Sequence, residues 1–530
     1  MTHGWGQTSP SVYETGRLVT LVPWLSGHGR RVAYLLKTQR SDGAWGPGEE
    51  GYSLAPTLSA AEALLSVVCN DTLATGTGSQ PHPEAVAEAA ARGLSALVDG
   101  LNGARPSWTP LPDMPAIELI VPSLVERINR HLAGLPARPR QGLEEWAGTR
   151  IALPAGVNGD KLLRTRRLLE SGRDIPPKLL HALEVAGETA VGLPHVRPER
   201  TGTIGAAPAA TAAWLGDRMP ADPGDPARWH LETVVALHDG PVPCGLPLTV
   251  FERGWVLAWL LRSGLPVNVH PQLVLSLTAP LGPKGTAAAA GLPADADTTA
   301  GALYALALLG APRRPDPLWE YEGETHFCTW AEEDGNSTTT NAHVIEAFGQ
   351  YLASVPAQRI GAGMGRRYSA TINKLAYWLC EQQRNDGSWA DRWHASPYYA
   401  TACCAVALAG FAGERSAPAV KAARQWVLDT QRADGSWGRW QGTAEETAYA
   451  VRTLLLTTPR PDPLSLRAVA RGREHLAQAL WDESGALAGE LKDEPALWHD
   501  KDLYRPTAIV RAAIVASLHL AEKSAPVSGK

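Results

Sequence analysis

Apolar residues recur at the three- and four-residue spacing of amphipathic helices along almost the whole chain, whereas strand-like alternation is sparse. This period predicts helices that bury one face, and clusters of proline and glycine between the apolar windows predict loops. The predicted helices cover residues 57–69, 84–99, 117–133, 142–151, 161–171, 177–190, 208–216, 228–237, 249–263, 299–309, 340–353, 366–382, 398–411, 417–429, 444–456, 463–481 and 505–521. The chain is therefore predicted to be all-α, with inner and outer helices alternating in α/α barrels.

One short motif repeats between these helices. Residues 39–46, 383–389 and 431–438 each contain Gln-Arg, then Asp-Gly, then Trp, and residues 199–205 are a weaker copy. The Asp-Gly pair predicts a tight turn after a helix, and the Trp would cover the joint. Three close copies indicate that helix pairs are stacked in the same way several times.

Two aspartates stand close together at a predicted helix start. Asp295 and Asp297 precede Thr298 and an apolar run of helix formers, and a Gly-Leu-Pro turn lies just upstream. Taken alone, this pattern is typical of a helix N-cap, where a carboxylate or hydroxyl accepts hydrogen bonds from free backbone N–H groups. Two carboxyls in one short segment also fit an acid catalyst, because burial and a neighbouring negative charge both raise a carboxyl pKa.

Composition narrows the classes of partner. A net charge of -5 over 530 residues gives no general attraction to nucleic acid. The six cysteines form no CxxC pair, which argues against a disulfide framework or zinc site and favours a reducing cytoplasm. The start of the chain lacks a signal pattern, and the longest apolar stretches, such as residues 254–261, are too short to span a bilayer. We expect no stable membrane insertion.

The repeats and the acid motif together resemble the class II terpene cyclases. Further segments resemble, in order, the prenyl diphosphate cyclases of that superfamily and run along nearly the whole chain. These segments are residues 13–18, 54–60, 115–122, 177–184, 241–247, 251–255, 341–344, 396–401, 445–450 and 498–504. No single segment is specific, but their number and order are.

The resemblance implies two α/α-barrel domains. Residues 1–26 and 246–530 would form the β domain with the acid motif, residues 27–245 would form an inserted γ domain, and the active site would lie between them. The third domain of bifunctional relatives needs a DDxxD metal motif, which this sequence lacks, and we expect no room for that domain. The diphosphate of the substrate is therefore expected to be retained. Monomer and homodimer are both left open.

The resemblance also implies the initiating chemistry. Asp297 would protonate the terminal alkene of a linear prenyl diphosphate, and Asp295 would orient it or share its hydrogen-bond network. The commoner family pattern has a third acid where this chain has Thr298, whose hydroxyl can donate a hydrogen bond but adds no negative charge. Protonation of Asp297 would then depend more on burial and on Asp295.

Aromatic faces stabilise cations without trapping them. The cyclase resemblance therefore implies an aromatic pocket, although each candidate could equally pack in a core. The candidates are Trp255, Trp259, Trp330, Tyr398, Tyr399, Tyr449, Trp498 and Tyr504.

The substrate's diphosphate needs basic groups and, by resemblance, Mg²⁺. Lys161 and Arg164 share one helix face and are the candidates for that end of the substrate, although the face could equally be solvated. Glu118 is the candidate magnesium ligand. His181 matches a histidine that acts with an asparagine and water as terminal base in plant relatives, but Cys244 stands at the asparagine position, so the terminal base is open.

The Asp-Thr-Thr ending of the acid motif resembles bacterial drimenyl diphosphate synthases, which predicts conversion of farnesyl diphosphate to drimenyl diphosphate. The alternative is conversion of geranylgeranyl diphosphate to a copalyl-type diphosphate. A squalene-type triterpene cyclase, a zinc prenyltransferase subunit and a non-enzymatic helical scaffold fit less well. A squalene-type cyclase would show a membrane-binding apolar face, and a zinc prenyltransferase would need a zinc ligand set. A non-enzymatic scaffold would not need two spaced acids beside many tryptophans.

Overall fold

A computed structural model describes residues 4–48, 51–70, 72, 81–102, 108, 111–333, 335–480 and 494–524. Within these ranges nearly all regular structure is helical, which confirms the predicted all-α class. The helices are α1 (Val12–Leu21), α2 (His28–Thr38), α3 (Leu54–Asn70), α4 (Pro83–Leu101), α5 (Ile117–Gly134), α6 (Asp160–Glu170), α7 (Pro177–Leu180), α8 (Pro208–Leu215), α9 (Pro226–Leu237), α10 (Thr249–Arg262), α11 (Pro271–Thr278), α12 (Ala296–Leu308), α13 (Thr338–Ser354), α14 (Ala357–Ile360), α15 (Ala362–Glu381), α16 (Pro397–Phe411), α17 (Ala417–Asp429), α18 (Ala444–Leu456), α19 (Pro463–Leu480) and α20 (Thr507–Ser524).

Two large hydrophobic cores organise the molecule. One runs from Ala206 to Ala521 and includes the buried faces of α10, α12, α13, α16, α18 and α20. The other runs from Val12 to Val185, with a few side chains from the later part of the chain. Helix α1 packs on α3 and α8. The predicted assignment of residues 1–26 and 246–530 to one domain and residues 27–245 to the other stays a prediction.

The repeated motif builds the same joint each time. The amide of Gln383 donates to the carbonyls of Gly387 and Ala419, both at 2.9 Å. Gln39 and Gln431 make the equivalent pairs of bonds in the other two copies. In each copy the buried Trp donates its indole N–H to a carbonyl ten residues upstream, at 2.7–2.8 Å. The motif thus ties the end of one helix to the next.

The weaker copy forms the same backbone turn without the tryptophan. Glu199 N donates to Thr203 O, and Gly202 N donates to Glu199 O, as Arg384 and Gly387 do in their own copy. Gly202 has φ +80°, and a Cβ there would lie 1.9 Å from the Pro226 carbonyl oxygen. Glycine is needed because both the left-handed backbone and the close neighbour exclude a side chain.

Two predicted helices are shorter than expected. The window 142–151 contains only a 3-10 turn at Glu144–Trp146. The window 177–190 divides into α7 and a 3-10 segment, Leu183–Ala190, in which Gly187 has φ 69°. The left-handed residue interrupts the helical hydrogen bonds. The spacing of apolar residues therefore predicted a longer helix than the one that forms.

A small hairpin near the end of the chain brings polar side chains into contact with the start of the chain. Strands β1 (Trp498–His499) and β2 (Leu503–Tyr504) pair antiparallel, with Trp498 opposite Tyr504. The turn between them carries Asp500, Lys501 and Asp502. Ser11 and the backbone N–H of Tyr13 both donate to Asp502 at 3.2 Å, which ties the hairpin to the start of the chain.

None of the described helices combines the length and apolar character required to cross a lipid bilayer.

Candidate functional site

The acid motif opens helix α12. Asp295 is its N-cap and accepts a hydrogen bond from the backbone N–H of Thr298 at 2.5 Å. The capping role that the sequence allowed is therefore real. Asp295 is only 4% exposed, and this burial raises its pKa to about 8, although the bond from Thr298 opposes the rise and the charge of Asp297 adds to it. A neutral carboxylic acid at this position is thus favoured near pH 7.

Asp297 lies in the first turn of α12 and meets a histidine from another helix. His343, on α13, lies with Nδ1 2.8 Å from Asp297 Oδ1. The side chains are 16% and 10% exposed, so the pair is largely sheltered from water. Burial alone lowers the pKa of His343, but the charge of Asp297 and the hydrogen bond to it raise that pKa well above its usual value overall.

A cavity lies against His343 inside the ring of α10, α12, α13, α16 and α18. Trp255 and Trp259 line it on α10, together with Cys403 and Glu346. Of the acid–imidazole pair, His343 therefore lines this cavity directly.

Aromatic rings continue from the donor in an unbroken series. The Trp255 ring meets His343 edge-on at 5.0 Å between centroids, and its indole N–H donates to the Tyr399 hydroxyl at 2.9 Å. Tyr399 in turn lies 4.7 Å from Trp498 and 5.2 Å from Tyr449. Trp255, Tyr449 and Trp498 are thus brought together, as predicted, with Tyr399 as the ring that joins them.

A buried carboxylate sits within these rings. Glu445 Oε1 accepts hydrogen bonds from Trp498 Nε1 at 2.7 Å, Tyr449 OH at 2.9 Å and His394 Nε2 at 3.1 Å. Burial raises the pKa of Glu445, but the hydrogen bond and charge of His394 lower it below its ordinary value overall. The ionised form is therefore favoured, and it places negative charge beside the aromatic rings.

Two predicted aromatic residues occupy different surroundings. Tyr398 packs on Trp426 of α17, at 4.5 Å between centroids, whereas its neighbour Tyr399 joins the aromatic series. Tyr504 lies on β2 opposite Trp498. Burial raises the pKa of Tyr504 well above its usual value, and the charges of Asp500, Asp297 and Glu445 add to the rise.

His181 is bound on both ring nitrogens. Nδ1 lies 2.6 Å from the Gly205 carbonyl oxygen, and Nε2 lies 2.7 Å from Asp500 Oδ1. Cys244 is fully buried, its Sγ donates to the Asp502 carbonyl at 3.7 Å, and burial raises the pKa of its thiol well above the usual value. The thiol therefore stays protonated.

The basic helix face is open to solvent. Lys161 and Arg164 are both exposed on α6. Lys161 forms an ion pair with Glu118 on α5, and both side chains are more than half exposed. The structure therefore brings the predicted diphosphate residue and the predicted magnesium ligand into direct contact.

Metal ligands are not clustered in the part of the chain that the structure describes, where no group of three or more His, Cys, Asp or Glu side chains could hold an ion. Glu118 still fits Mg²⁺ of the kind that keeps its waters and binds one or two carboxylates together with substrate phosphates.

The site also contains residues that the sequence did not single out: His343, His394, Glu445 and Asp500. Each lies in or beside a segment that carried the family resemblance, at residues 341–344, 396–401, 445–450 and 498–504. Those segments were the available signal, but they did not indicate which side chain in each one belongs to the site.

Comparison with known proteins gives a consistent result. Residues 342–474 match the family model described as the squalene-hopene cyclase C-terminal domain. An ent-copalyl diphosphate synthase of Streptomyces sp. (strain KO-3988) is 42% identical over 98% of this chain and 94% of that protein. A copalyl diphosphate synthase of Streptomyces cyslabdanicus is 41% identical over 98% of this chain and 94% of that protein. The solved structure of ent-copalyl diphosphate synthase from Streptomyces platensis has a TM-score of 0.89 at 43% identity and covers 98% of this chain and 97% of that chain.

Proposed function

The chain belongs to the class II terpene cyclases, and on this premise we propose that it converts geranylgeranyl diphosphate into a bicyclic copalyl-type diphosphate. The enzyme class, a prenyl diphosphate cyclase that isomerises its substrate, follows from the relatives. The observation that carries the mechanism is the sheltered pair of Asp297 and His343, with oxygen and nitrogen 2.8 Å apart.

Asp297 donates the initiating proton to the terminal alkene. An alkene is a very weak base, so the donor must be a strong acid that is still protonated when substrate binds. The imidazolium of His343 stabilises the carboxylate that forms on Asp297, which strengthens the acid at the moment of transfer. Asp295, held neutral by burial, adds no second negative charge that would oppose that carboxylate.

The carbocation that results is guided by rings and by one carboxylate. Internal double bonds attack the cationic carbon in turn, so that two rings close and the positive charge moves along the chain. Trp255, Tyr399, Tyr449 and Trp498 form a contiguous group of rings that begins at the donor pair. Their faces attract a cation and offer no lone pair to capture it. Glu445 adds a fixed negative charge behind them.

The diphosphate group stays covalently attached throughout the reaction, so substrate and product both carry it. We propose that Lys161 and Arg164 bind it and that Glu118 holds Mg²⁺ together with the diphosphate oxygens. Bound Mg²⁺ would neutralise the charge of the diphosphate. The solvent-facing ion pair of Lys161 and Glu118 supports this arrangement, since a diphosphate and a magnesium ion can exchange places with these partners without uncovering buried charge.

The named relatives favour a longer substrate than the acid motif predicted. The Asp-Thr-Thr motif favoured farnesyl diphosphate and drimenyl diphosphate, but relatives at 41–43% identity over nearly the whole chain are named copalyl diphosphate synthases. We therefore prefer the twenty-carbon substrate. The same relatives favour a diphosphate over squalene.

The test is direct incubation of the purified enzyme with Mg²⁺ and either farnesyl diphosphate, geranylgeranyl diphosphate or squalene. Products are dephosphorylated and identified by mass spectrometry and by comparison with standards. We expect a bicyclic alcohol from the twenty-carbon substrate, with a higher kcat/KM than for the fifteen-carbon substrate. Exclusive turnover of farnesyl diphosphate would contradict the proposal and restore the drimenyl alternative.

We also propose a cytoplasmic location, supported by six cysteines that are all free thiols.

A further inference from the structure

Cyclisation ends when the carbocation loses a proton, and the group that takes it is unassigned. His181 and Cys244 stand at the positions that the family resemblance indicated, but neither is available. The Gly205 carbonyl can only accept, so His181 Nδ1 carries a proton, and Nε2 faces the Asp500 carboxylate. The buried Cys244 thiol stays neutral and donates to a backbone carbonyl. The base must therefore be sought next to them.

Asp500 is the neighbour that fits. Its Oδ1 accepts hydrogen bonds from His181 Nε2 and from the backbone N–H of Lys501, both at 2.7 Å. Its Oδ2 has no donor within hydrogen-bond distance among the residues that the structure describes, and the side chain is 16% exposed. Gly245 stands beside this oxygen, where even a Cβ would lie 3.8 Å away, so no side chain covers it. One lone-pair-bearing oxygen is thus left open.

The hairpin places Asp500 two residues from Trp498, beside the aromatic series. Tyr504 pairs with Trp498 across the two strands, and Trp498 belongs to the aromatic series. The Tyr504 hydroxyl lies within the electrostatic influence of both Asp297 and Asp500. The first and the last proton transfers can therefore take place around the same ring, at opposite ends of one bicyclic product.

We propose that Asp500 is the terminal base: its Oδ2 removes a proton from a carbon next to the final cationic carbon. This assignment rests on the proposed function. The C–H electron pair becomes the new double bond, the positive charge is cancelled, and the proton forms an O–H bond on Asp500. One proton has entered from Asp297 and one has left to Asp500, so substrate and product have the same composition.

The surroundings keep this carboxyl ready to accept. Burial raises the pKa of Asp500, but the charge and hydrogen bond of His181 and the charge of Lys501 lower it below its ordinary value overall. Lys501 is itself fully buried and paired with Glu14 and Glu184. Because a carbocation is an extremely strong acid, position matters more than basicity, and an ionised carboxylate at the right carbon suffices.

The decisive variant is Asp500→Asn. The amide oxygen still accepts from His181, so the local hydrogen bonding is kept, but the amide cannot take a proton. Initiation by Asp297 is untouched, and we expect substrate to be consumed. The persisting cation should then be captured by water, which gives an alcohol one water heavier than the wild-type alkene, or should lose a different proton to give an isomeric alkene.

The matched control is Asp502→Asn, two residues away in the same turn. Asp502 is also buried, but its oxygens are occupied by Ser11 and by the backbone N–H groups of Tyr13 and Leu503. This variant should form the wild-type alkene, at whatever rate its folding allows. Equal amounts of alcohol from both variants would show that any loss of buried charge in the turn alters the product, and would overturn the assignment.

The remaining outcomes are equally informative. A folded Asp500→Asn protein that forms the wild-type alkene, or that consumes no substrate, overturns the role of Asp500 alone, because a terminal base acts after initiation. If the variant does not fold, His181→Asn is assayed instead, because it removes the histidine that holds Asp500 in place. A mixture of alkene and alcohol from this variant supports the assignment of Asp500. An unchanged product overturns the assignment. A wild-type enzyme that cyclises neither diphosphate contradicts the proposed function itself.

Discussion

His343 Nδ1 lies 2.8 Å from Asp297 Oδ1, in a sheltered place where the two helices that carry them, α12 and α13, pack side by side. The contact joins a potential acid to a group that is charged whenever the acid gives up its proton. Proton donation to an alkene leaves a carboxylate in a poorly solvated site, which is costly unless a positive charge is already in place. This one hydrogen bond therefore couples the acidity of Asp297 to the charge on His343.

Replacing Asp297 by Asn should abolish turnover. The amide keeps a hydrogen bond to His343 but has no acidic proton, so kcat is expected to fall by at least about 10³-fold, within the range for a lost general acid. Circular dichroism should be unchanged. Asp239→Asn, which alters an exposed acid paired with Arg30, is the control and should keep wild-type activity. Substantial turnover by the Asp297 variant would assign the donor elsewhere.

Replacing His343 by Asn should reduce kcat with little change in KM. The amide can still donate to Asp297 but carries no positive charge, and loss of one preorganised electrostatic partner lowers kcat by about 10²–10³-fold. His326→Asn, at a ring that stacks on Trp378 away from the donor, is the matched control. Equal losses in both variants, or a change confined to KM, would contradict the proposed role of His343.

Asp295→Asn should stabilise the protein at neutral pH. The folded state holds a proton on Asp295 up to a pKa of about 8, whereas the unfolded side chain releases it near 3.8. Between these values folding takes up a proton, so the free energy of unfolding falls as the pH rises from about 4 to about 8. The amide cannot ionise and escapes this fall.

A pKa that rises from 3.8 to about 8 corresponds to a stabilisation on the order of 5 kcal/mol at pH 8, and the effect should vanish near pH 4. Urea unfolding of wild type and variant at pH 4, 6 and 8 measures it. A difference that does not depend on pH would show that Asp295 is ionised in the folded protein, and would leave Asp297 with a charged neighbour.

How much the sequence predicted depends on how far apart the partners lie along the chain. Asp295 and Asp297 were found because one helix start carries both, and the repeats were found because each joint is built within about ten residues. His343 lies 46 residues from Asp297, and Asp500 lies 319 residues from His181. These pairs depend on how helices and hairpin pack, which local periodicity does not encode. Tyr398 and Tyr399 show the same limit, since adjacent residues face different neighbours.

The repeated glutamine should contribute measurably to stability. Gln383→Ala removes two hydrogen bonds to the Gly387 and Ala419 carbonyls, each worth about 0.5–1.5 kcal/mol, so the free energy of unfolding should fall by about 1–3 kcal/mol. The adjacent Gln382 is exposed, and Gln382→Ala is the matched control. Thermal and urea unfolding of both variants give the comparison. Equal effects would mean that the joint is held by the tryptophan alone.

Glu118→Gln should raise the Mg²⁺ concentration needed for half-maximal activity. If Mg²⁺ is held by Glu118 and the diphosphate, the amide supplies a weaker, uncharged ligand and the requirement should rise by about tenfold, the effect of losing roughly 1.4 kcal/mol of binding. The variant also frees Lys161 from its ion pair, so substrate affinity at saturating Mg²⁺ should not fall.

Glu126, on the same helix, pairs with Arg130 and Arg166 and provides the matched control through Glu126→Gln. Its Mg²⁺ dependence should equal that of the wild type. Parallel shifts in both variants would indicate a general effect of negative charge on α5, and an unshifted Glu118 variant would move the magnesium ligand to another part of the molecule.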